Sequence, residues 1–458
     1  MKGILKLTAL AAAAGLMLFA GGMLCADEAA APAAAAVVAA AAPAAEVAAP
    51  KIDSGDTSWV LTSAALVLLM TIPGLAFFYG GLVRKKNVLS ILMQCFAITC
   101  IVSLQWVIFG YSLAFGPDAG GKGIIGNLDW FMLHDIGATN PLAATIPHQA
   151  FSVFQLMFAI ITPALIIGAF AERMKFSGFC VFMLLWSTLV YDPLCHWVWG
   201  GGFLGSMGAL DFAGGTVVHI NAGMAALAAA IVLGKRRGYP TKISPPHNMP
   251  FAVLGAALLW VGWFGFNSGS AVAANGLAAS AFIVTNTATA AAGLAWAVLD
   301  YFFNKHATVL GIITGAVAGL VAITPAAGFV GIGGSILIGF GASAICYFFV
   351  SVIKPKLGYD DSLDAFGVHG IGGIWGALAT GLFASADING KSGLFYGDAK
   401  QFGIQVVAVL VTIVFSFVVS FILLKVVDMT IGLRADEHSE RIGLDLSEHR
   451  EAGYTLLD

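Results

Sequence analysis

From residue 58 to residue 428 the chain alternates apolar stretches about twenty residues long with short segments that carry charge. The stretches fall near 58–82, 88–114, 148–170, 177–198, 209–234, 250–273, 277–303, 308–327, 331–353, 364–384 and 402–428. At ~1.5 Å rise per residue, twenty residues match the ~30 Å hydrocarbon core of a bilayer. The pattern therefore predicts an all-α polytopic membrane protein with about eleven transmembrane helices. The segments between them differ in sign. Those after the odd-numbered helices hold Arg84-Lys-Lys86, Arg173-Met-Lys175, Lys235-Arg-Arg237, Lys305 and Lys354-Pro-Lys356, and Arg434 follows the last helix. The segments on the other side hold only Lys122, Lys391 and Lys400, with Lys51 ahead of the first helix. Basic residues collect in cytoplasmic loops, so the expected orientation is N-terminus outside and C-terminus inside.

Composition agrees with this reading. Hydrophobic residues make up 59% of the chain and charged residues 10%, with a net charge of −3; the mean hydropathy is +0.90. A soluble domain is roughly a quarter charged, and so small a net charge gives no reason to expect a nucleic-acid partner. Residues 1–26 read as a signal peptide, with Lys2 and Lys6 ahead of the apolar run Leu7 to Met23 and a cleavage site near Leu24-Cys-Ala26. Residues 27–57 are an Ala/Pro-rich extracytoplasmic segment, 58–430 the membrane domain and 431–458 a polar cytoplasmic tail, for which composition favours a solvated end. Cys95, Cys100, Cys180, Cys195 and Cys346 are scattered through apolar stretches without a CxxC and read as small core hydrophobes.

Polar groups inside the apolar stretches are the candidate chemistry, because ionisable side chains are expensive at membrane depth. His219 lies in the fifth stretch and His369 in the tenth, each preceded by Val and followed four residues later by Gly. The fifth stretch enters from outside and the tenth from inside. Two five-helix halves of opposite topology, each ending in a His-bearing helix, predict a five-plus-five inverted repeat with an extra C-terminal helix and a site near the midplane. Each neutral imidazole has one donor and one acceptor nitrogen, so the pair can share a hydrogen bond and still offer a nitrogen to a passing solute. Asp211 opens the fifth stretch. It can ligate a cation or cap the helix, and the preference of Asp for N-caps favours the structural role.

Toward the outside, Trp199 abuts Gly200-Gly-Gly202, Phe154 and Phe158 lie one turn apart, and Ser270 ends the sixth stretch. An aromatic face attracts a cation by ~0.5–2 kcal/mol, more as the site dries, and a Ser oxygen accepts from an N–H. Phe158 and Phe266 are candidates for a two-ring plug above the histidines. For any one of 33 phenylalanines core packing is the usual role; their placement between Trp199 and the histidines singles these two out. No carbonyl-filter repeat or acidic ring is present, which argues against a potassium or divalent-ion filter. Ammonium suits a cationic site above an apolar conduit. Moving a bare ion of that size into low dielectric costs on the order of 20 kcal/mol. Deprotonating an amine with a Lys-like pKa at pH 7 costs roughly 4–5 kcal/mol, and potassium has no such route.

Six motifs resemble the ammonium transporter (Amt/Mep/Rh) family on its bacterial Amt side, over about Leu61 to Arg434. They are Thr71-Ile-Pro-Gly74 with Phe78-Tyr-Gly-Gly-Leu-Val-Arg84, Gly168-Ala-Phe-Ala-Glu-Arg173, Trp199-Gly-Gly-Gly202, Asp211-Phe-Ala-Gly-Gly-Thr-Val-Val-His-Ile-Asn221, Gly262-Trp-Phe-Gly-Phe-Asn-Ser-Gly-Ser270 and Asp364-Ala-Phe-Gly-Val-His-Gly370. The resemblance implies a homotrimer in the bacterial inner membrane, with one pore per subunit and no cofactor. It implies recruitment of ammonium, or of methylammonium as analogue, at Trp199, Phe158 and Ser270. It further implies a gate at Phe158 and Phe266, pore-lining His219, His369 and Trp263, and a structural Asp211. Transport with net charge transfer is implied, as is a PII-type regulatory protein at the cytoplasmic face. The tail Asp445-Leu-Ser-Glu-His-Arg-Glu-Ala-Gly-Tyr454 is similar to the family's C-terminal motif, with Arg450 where Gly is usual; Lys85 also replaces a commoner Gly, and Asp192 is an added acid. A neutral gas channel of the Rh kind and an ammonium sensor are the alternatives. No HExxH, GxSxG or phosphate loop points to an enzyme.

Overall fold

The computed structural model describes residues 51–241 and 245–454. The expected signal peptide and most of the Ala/Pro-rich segment lie outside them. Among the described residues the regular structure is helical, with only isolated two-residue bridges. Ten helices among the described residues are long and apolar enough to cross a bilayer: α1 Ser54–Leu82, α2 Lys85–Phe115, α3 His148–Phe170, α4 Phe176–Met207, α5 Gly215–Leu233, α6 Met249–Gly269, α7 Gly276–Asn304, α9 Ile332–Leu357, α10 Phe366–Phe383 and α11 Ala399–Thr430. The shorter α8, Val309–Ile323, completes the eleven.

The bounds differ from the hydrophobicity pattern where a polar group ends or starts a helix. α1 begins four residues early because Asp53 caps it, its Oδ1 accepting from Asp56 N at 2.9 Å. α8 stops at Ile323 ahead of Pro325, which has no N–H to continue the ladder. α5 and α10 begin at Gly215 and Phe366, six and two residues later than their apolar stretches, for reasons that belong to the site.

The halves α1–α5 and α6–α10 form the five-plus-five inverted repeat, with α11 as the extra helix. α1 packs on α6 and α5 crosses α10, so equivalent helices of the two halves meet; α11 lies against α4, α5 and α10. α3 and α5 are enclosed on nearly every side. Large apolar side chains such as Leu104, Leu254, Leu294, Phe303, Leu337 and Ile422 are exposed on the peripheral helices. In a bilayer that surface is covered by lipid tails or by neighbouring helices.

One end of the bundle gathers the basic residues. Arg84 pairs with Glu172 at 2.7 Å and Arg236 with Asp360 at 2.9 Å; both acids are shielded from solvent. Burial works to raise the Glu172 carboxyl, but the Arg84 guanidinium and backbone N–H, with Arg236, hold it below its ordinary value. The fully buried Arg173 donates to Ser362 Oγ at 2.5 Å and to the Ala169 and Asp360 carbonyls at 2.9 and 2.7 Å. These bonds join the α3–α4 turn to the segment ahead of α10.

The tail is not the solvated end that its composition favours. Lys175 N donates to Leu433 O at 2.8 Å and Ala435 N to Arg173 O at 2.9 Å, tying the chain after α11 to the α3–α4 turn. Two short helices follow, α12 Glu437–Ile442 and α13 Leu444–His449. Leu444 N donates to Asn87 Oδ1 at 2.9 Å, Ser90 N to Asp445 Oδ1 at 2.8 Å and Phe176 N to Glu448 Oε2 at 3.1 Å. The tail thus bonds the exposed N-termini of α2 and α4. Composition misses this because the docking uses polar side chains on backbone N–H groups rather than an apolar face.

Arg450 caps α13 in the left-handed region, at φ 58°. A side chain there costs about 1 kcal/mol relative to the glycine usual at a helix C-terminus. Arg450→Gly should tighten docking by about fivefold. Hydrogen exchange at residues 444–449 should slow by that factor in the variant; unchanged or faster exchange would contradict the assignment.

Candidate functional site

Two carboxylates build the site. Asp211 sits before α5 and accepts from Gly214 N at 2.7 Å, Gly215 N at 2.6 Å, Thr216 N at 2.8 Å and Val217 N at 3.1 Å, together with the Thr216 hydroxyl. It satisfies the free N–H groups of the helix start, which would otherwise be stranded at membrane depth. That occupies both its oxygens and excludes the direct cation-ligand role left open by the sequence. Asp361 does the same for α10, accepting from Ala365 N at 3.0 Å, Phe366 N at 2.8 Å and Gly367 N at 3.3 Å. The sequence reading passed over Asp361, yet a signal was present. Asp211 precedes His219 by the same eight residues that separate Asp361 from His369.

Both helix starts are wound as π-helix, Gly215–Ile220 and Phe366–Gly370, and each delivers its histidine to the crossing. The crossing is close because glycines meet there. A Cβ on Gly223 would come within 2.2 Å of Gly370 Cα, and one on Gly373 within 3.0 Å of His219 Cβ. The two imidazoles lie at 24° with centroids 5.4 Å apart, and Nδ1 faces Nδ1 at 3.3 Å. One Nδ1 must donate and the other accept, so one ring keeps an acceptor Nε2 and the other a donor. His219 Nε2 is buried without a partner.

A column of rings continues from His219. Its imidazole stacks on Trp263 at 5.4 Å and 22°, and on Phe266 at 6.1 Å and 26°. Trp263 is fixed by its Nε1–H, which donates to Thr324 Oγ1 at 2.8 Å; Thr324 is a support the sequence reading did not single out. Phe266 meets Phe158 at 4.3 Å, and Phe158 meets Trp199 edge-on at 5.7 Å. Both phenylalanines are fully buried, so together they close the column. Phe154 stands behind Phe158 at 5.0 Å and is itself buried. It backs the gate ring rather than offering a free face.

At the top, Trp199 is partly exposed and anchored by Nε1–H to Asp211 O at 2.8 Å. The glycines beside it let the chain turn close to its neighbours: Gly201 has φ +88°, and a Cβ on Gly200 would lie 2.0 Å from Ala114 O. Ser270, one turn beyond Phe266, donates its hydroxyl to Phe266 O at 2.8 Å, which leaves its oxygen lone pairs free to accept. The arrangement offers ring faces and an acceptor at a half-open mouth, then an apolar closure, then two imidazoles with spare nitrogens. Among the described residues no three His, Cys, Asp or Glu side chains are grouped to hold a metal.

Residues 58–454 match the model of the Ammonium Transporter Family. The chain belongs to the ammonium transporter family. The ammonium transporter of Bacillus subtilis is 54% identical over 403 residues, covering 87% of this chain and 98% of its own length. Among solved structures, Candida albicans Mep2 aligns with a TM-score of 0.80 at 38% identity, covering 85% of this chain and 88% of its own. A structure described as a Sensor Amt Protein aligns with a TM-score of 0.80 at 31% identity, covering 86% and 98%. This member of the ammonium transporter family is therefore an all-helical membrane protein that its relatives match over most of its length.

Asp192, the added acid, opens the helical stretch Asp192–Val198 of α4, which stops ahead of the glycine turn, and it is wholly enclosed against Gln105 of α2, whose Nε2 donates to Oδ2 at 2.6 Å.

The capping role of Asp211 is testable in this transporter. Asp211→Ala strands several buried N–H donors at ~1–3 kcal/mol each and should prevent assembly of the folded protein. Asp211→Asn, which keeps one acceptor oxygen, should fold with a lower unfolding temperature in detergent. Wild-type stability of the alanine variant would contradict a structural role.

Proposed function

We propose that the chain transports ammonium by stripping its proton at the mouth and passing ammonia along the ring column. The observation that carries this reading is the unbroken run Trp199, Phe158, Phe266, His219, His369, with neighbouring ring centroids 5.7, 4.3, 6.1 and 5.4 Å apart. The indole face of Trp199 holds the cation by its charge, and Ser270 takes one N–H. Phe158 and Phe266 bar a hydrated ion, so entry requires loss of water or of the proton. Proton loss is the cheaper by the ~4–5 versus ~20 kcal/mol comparison above. Ammonia then meets the spare imidazole nitrogens of His219 and His369, which can donate to it or accept from it. The acceptor Nε2 that the shared Nδ1 bond leaves on one of the two rings gives the released proton a separate site to occupy, so the net transfer carries charge.

Asp211 leaves its field at the mouth without touching the solute. Trp263 walls the conduit. The protein sits in the bacterial inner membrane with Trp199 outside and the basic end inside, as the loop charges suggest. It acts as a homotrimer and not as an enzyme, with no cofactor. A PII-type protein is the proposed partner of the basic end, where the docked tail contributes to the surface. A sensor reading draws on that tail and on the likeness to the Sensor Amt Protein. Under it, variants that no longer transport would still signal.

Uptake of labelled methylammonium into proteoliposomes tests the proposal. Trp199→Leu should raise the half-saturating concentration about 2- to 30-fold, the equivalent of ~0.5–2 kcal/mol, with the maximal rate kept. His219→Ala should abolish the accompanying current while the oligomer still assembles. Unchanged half-saturation in the first and unchanged current in the second would overturn the assigned roles.

A further inference from the structure

Asp192 of α4 is a fully buried acid that the ring column does not use. None of its hydrogen bonds reaches Phe158, Phe266, His219 or His369. It stands directly after a turn of π-helix, Ser187–Tyr191. Gln105, opposite it on α2, stands directly before another, Trp106–Gly110. Single π-turns inside α-helices gather at functional positions, and here two neighbouring helices each carry one at the same contact. The bed of the contact is built as well: a Cβ on Gly110 would lie 2.6 Å from both amide atoms of Gln105, so the bare glycine makes room for that amide.

The surroundings decide the charge state. On its own helix the titratable groups facing Asp192 are Tyr191 and Cys195; from α2 comes only the neutral Gln105. No Lys or Arg is among them. His196, one turn further along, has both ring nitrogens engaged, Nδ1 with Ala114 O at 3.1 Å and Nε2 with Asp118 Oδ1 at 3.1 Å. Asp192 Oδ1, Gln105 Oε1, Tyr191 Oη and Ser187 Oγ are buried without partners. A carboxylate here would be an unpaired charge in low dielectric, served by a single amide donor, and such a group takes up a proton instead. The amide supports this. Turned about its axis, which exchanges the near-isosteric O and N, Gln105 presents Oε1 to the acid O–H. The 2.6 Å contact suits an O–H···O bond.

We propose that Asp192 is a proton-binding site within the membrane domain, a carboxylic acid that keeps its proton at neutral pH and donates it to the amide oxygen of Gln105. Its hydrogen bond goes to Gln105 and to no residue of the proposed solute path, so the proposal stands or falls separately from the transport reading.

Infrared difference spectroscopy on the full-length protein in lipid, labelled with carbon-13 at the aspartate side-chain carboxyl, tests this. At neutral pH the wild type should show a protonated-acid C=O band that moves with the label. The band should vanish in Asp192→Asn, whose amide can keep the bond to Gln105. Should that variant fail to fold, Gly110→Ala, which pushes the Gln105 amide aside, should move the band toward the frequency of a free acid. The proposal is overturned if the labelled wild type shows only ionised carboxylate bands, if the acid band survives Asp192→Asn, or if it ignores Gly110→Ala.

Discussion

The architecture depends on two carboxylates closing two helix starts inside a membrane protein. A helix that begins at depth leaves N–H groups with no water to meet them, and lipid cannot stand in. Asp211 and Asp361 meet them from the two opposed halves. Because their bonds are made to successive backbone N–H groups, they fix where α5 and α10 begin. They thereby fix the level at which His219 and His369, eight residues on from each acid, face one another. Glycines at the crossing then let the imidazoles approach to 3.3 Å between Nδ1 atoms.

The ring column follows from that placement. Each ring is held by a neighbour rather than by chance packing: Trp263 by the Thr324 hydroxyl, Trp199 by the carbonyl of Asp211, Phe158 by Phe154 behind it. Asp211 therefore acts twice, its carboxylate capping α5 and its carbonyl aiming the indole of the mouth. A hydrophobic path with two spare nitrogens is poorly suited to a permanent ion and well suited to a solute that can leave its charge behind. The comparison of desolvation with deprotonation makes that preference large.

Much of this was legible in the sequence. Hydrophobic length gave eleven helices, loop charge separated the two ends of the bundle, and the paired histidines suggested the inverted halves. The histidines are readable because a polar residue stands out in an apolar run. Asp361 escaped because it lies in a polar segment where an acid is unremarkable; only the repeated eight-residue spacing betrays it. The tail escaped because its contacts are side chains on backbone N–H groups, which leave no periodicity. Arg450 looked like a bare departure from a motif until its left-handed backbone gave the departure a physical meaning. Distance and orientation within the ring column are tertiary facts that no spacing in one chain encodes.

The most direct test of the central claim, that the solute crosses without its proton and the charge follows separately, is the current in proteoliposomes after a jump in external ammonium, with potassium as control. The account predicts a saturable inward positive current with ammonium and none with potassium. Alkalinisation of the lumen with no current would contradict it and would mean that neutral ammonia crosses alone.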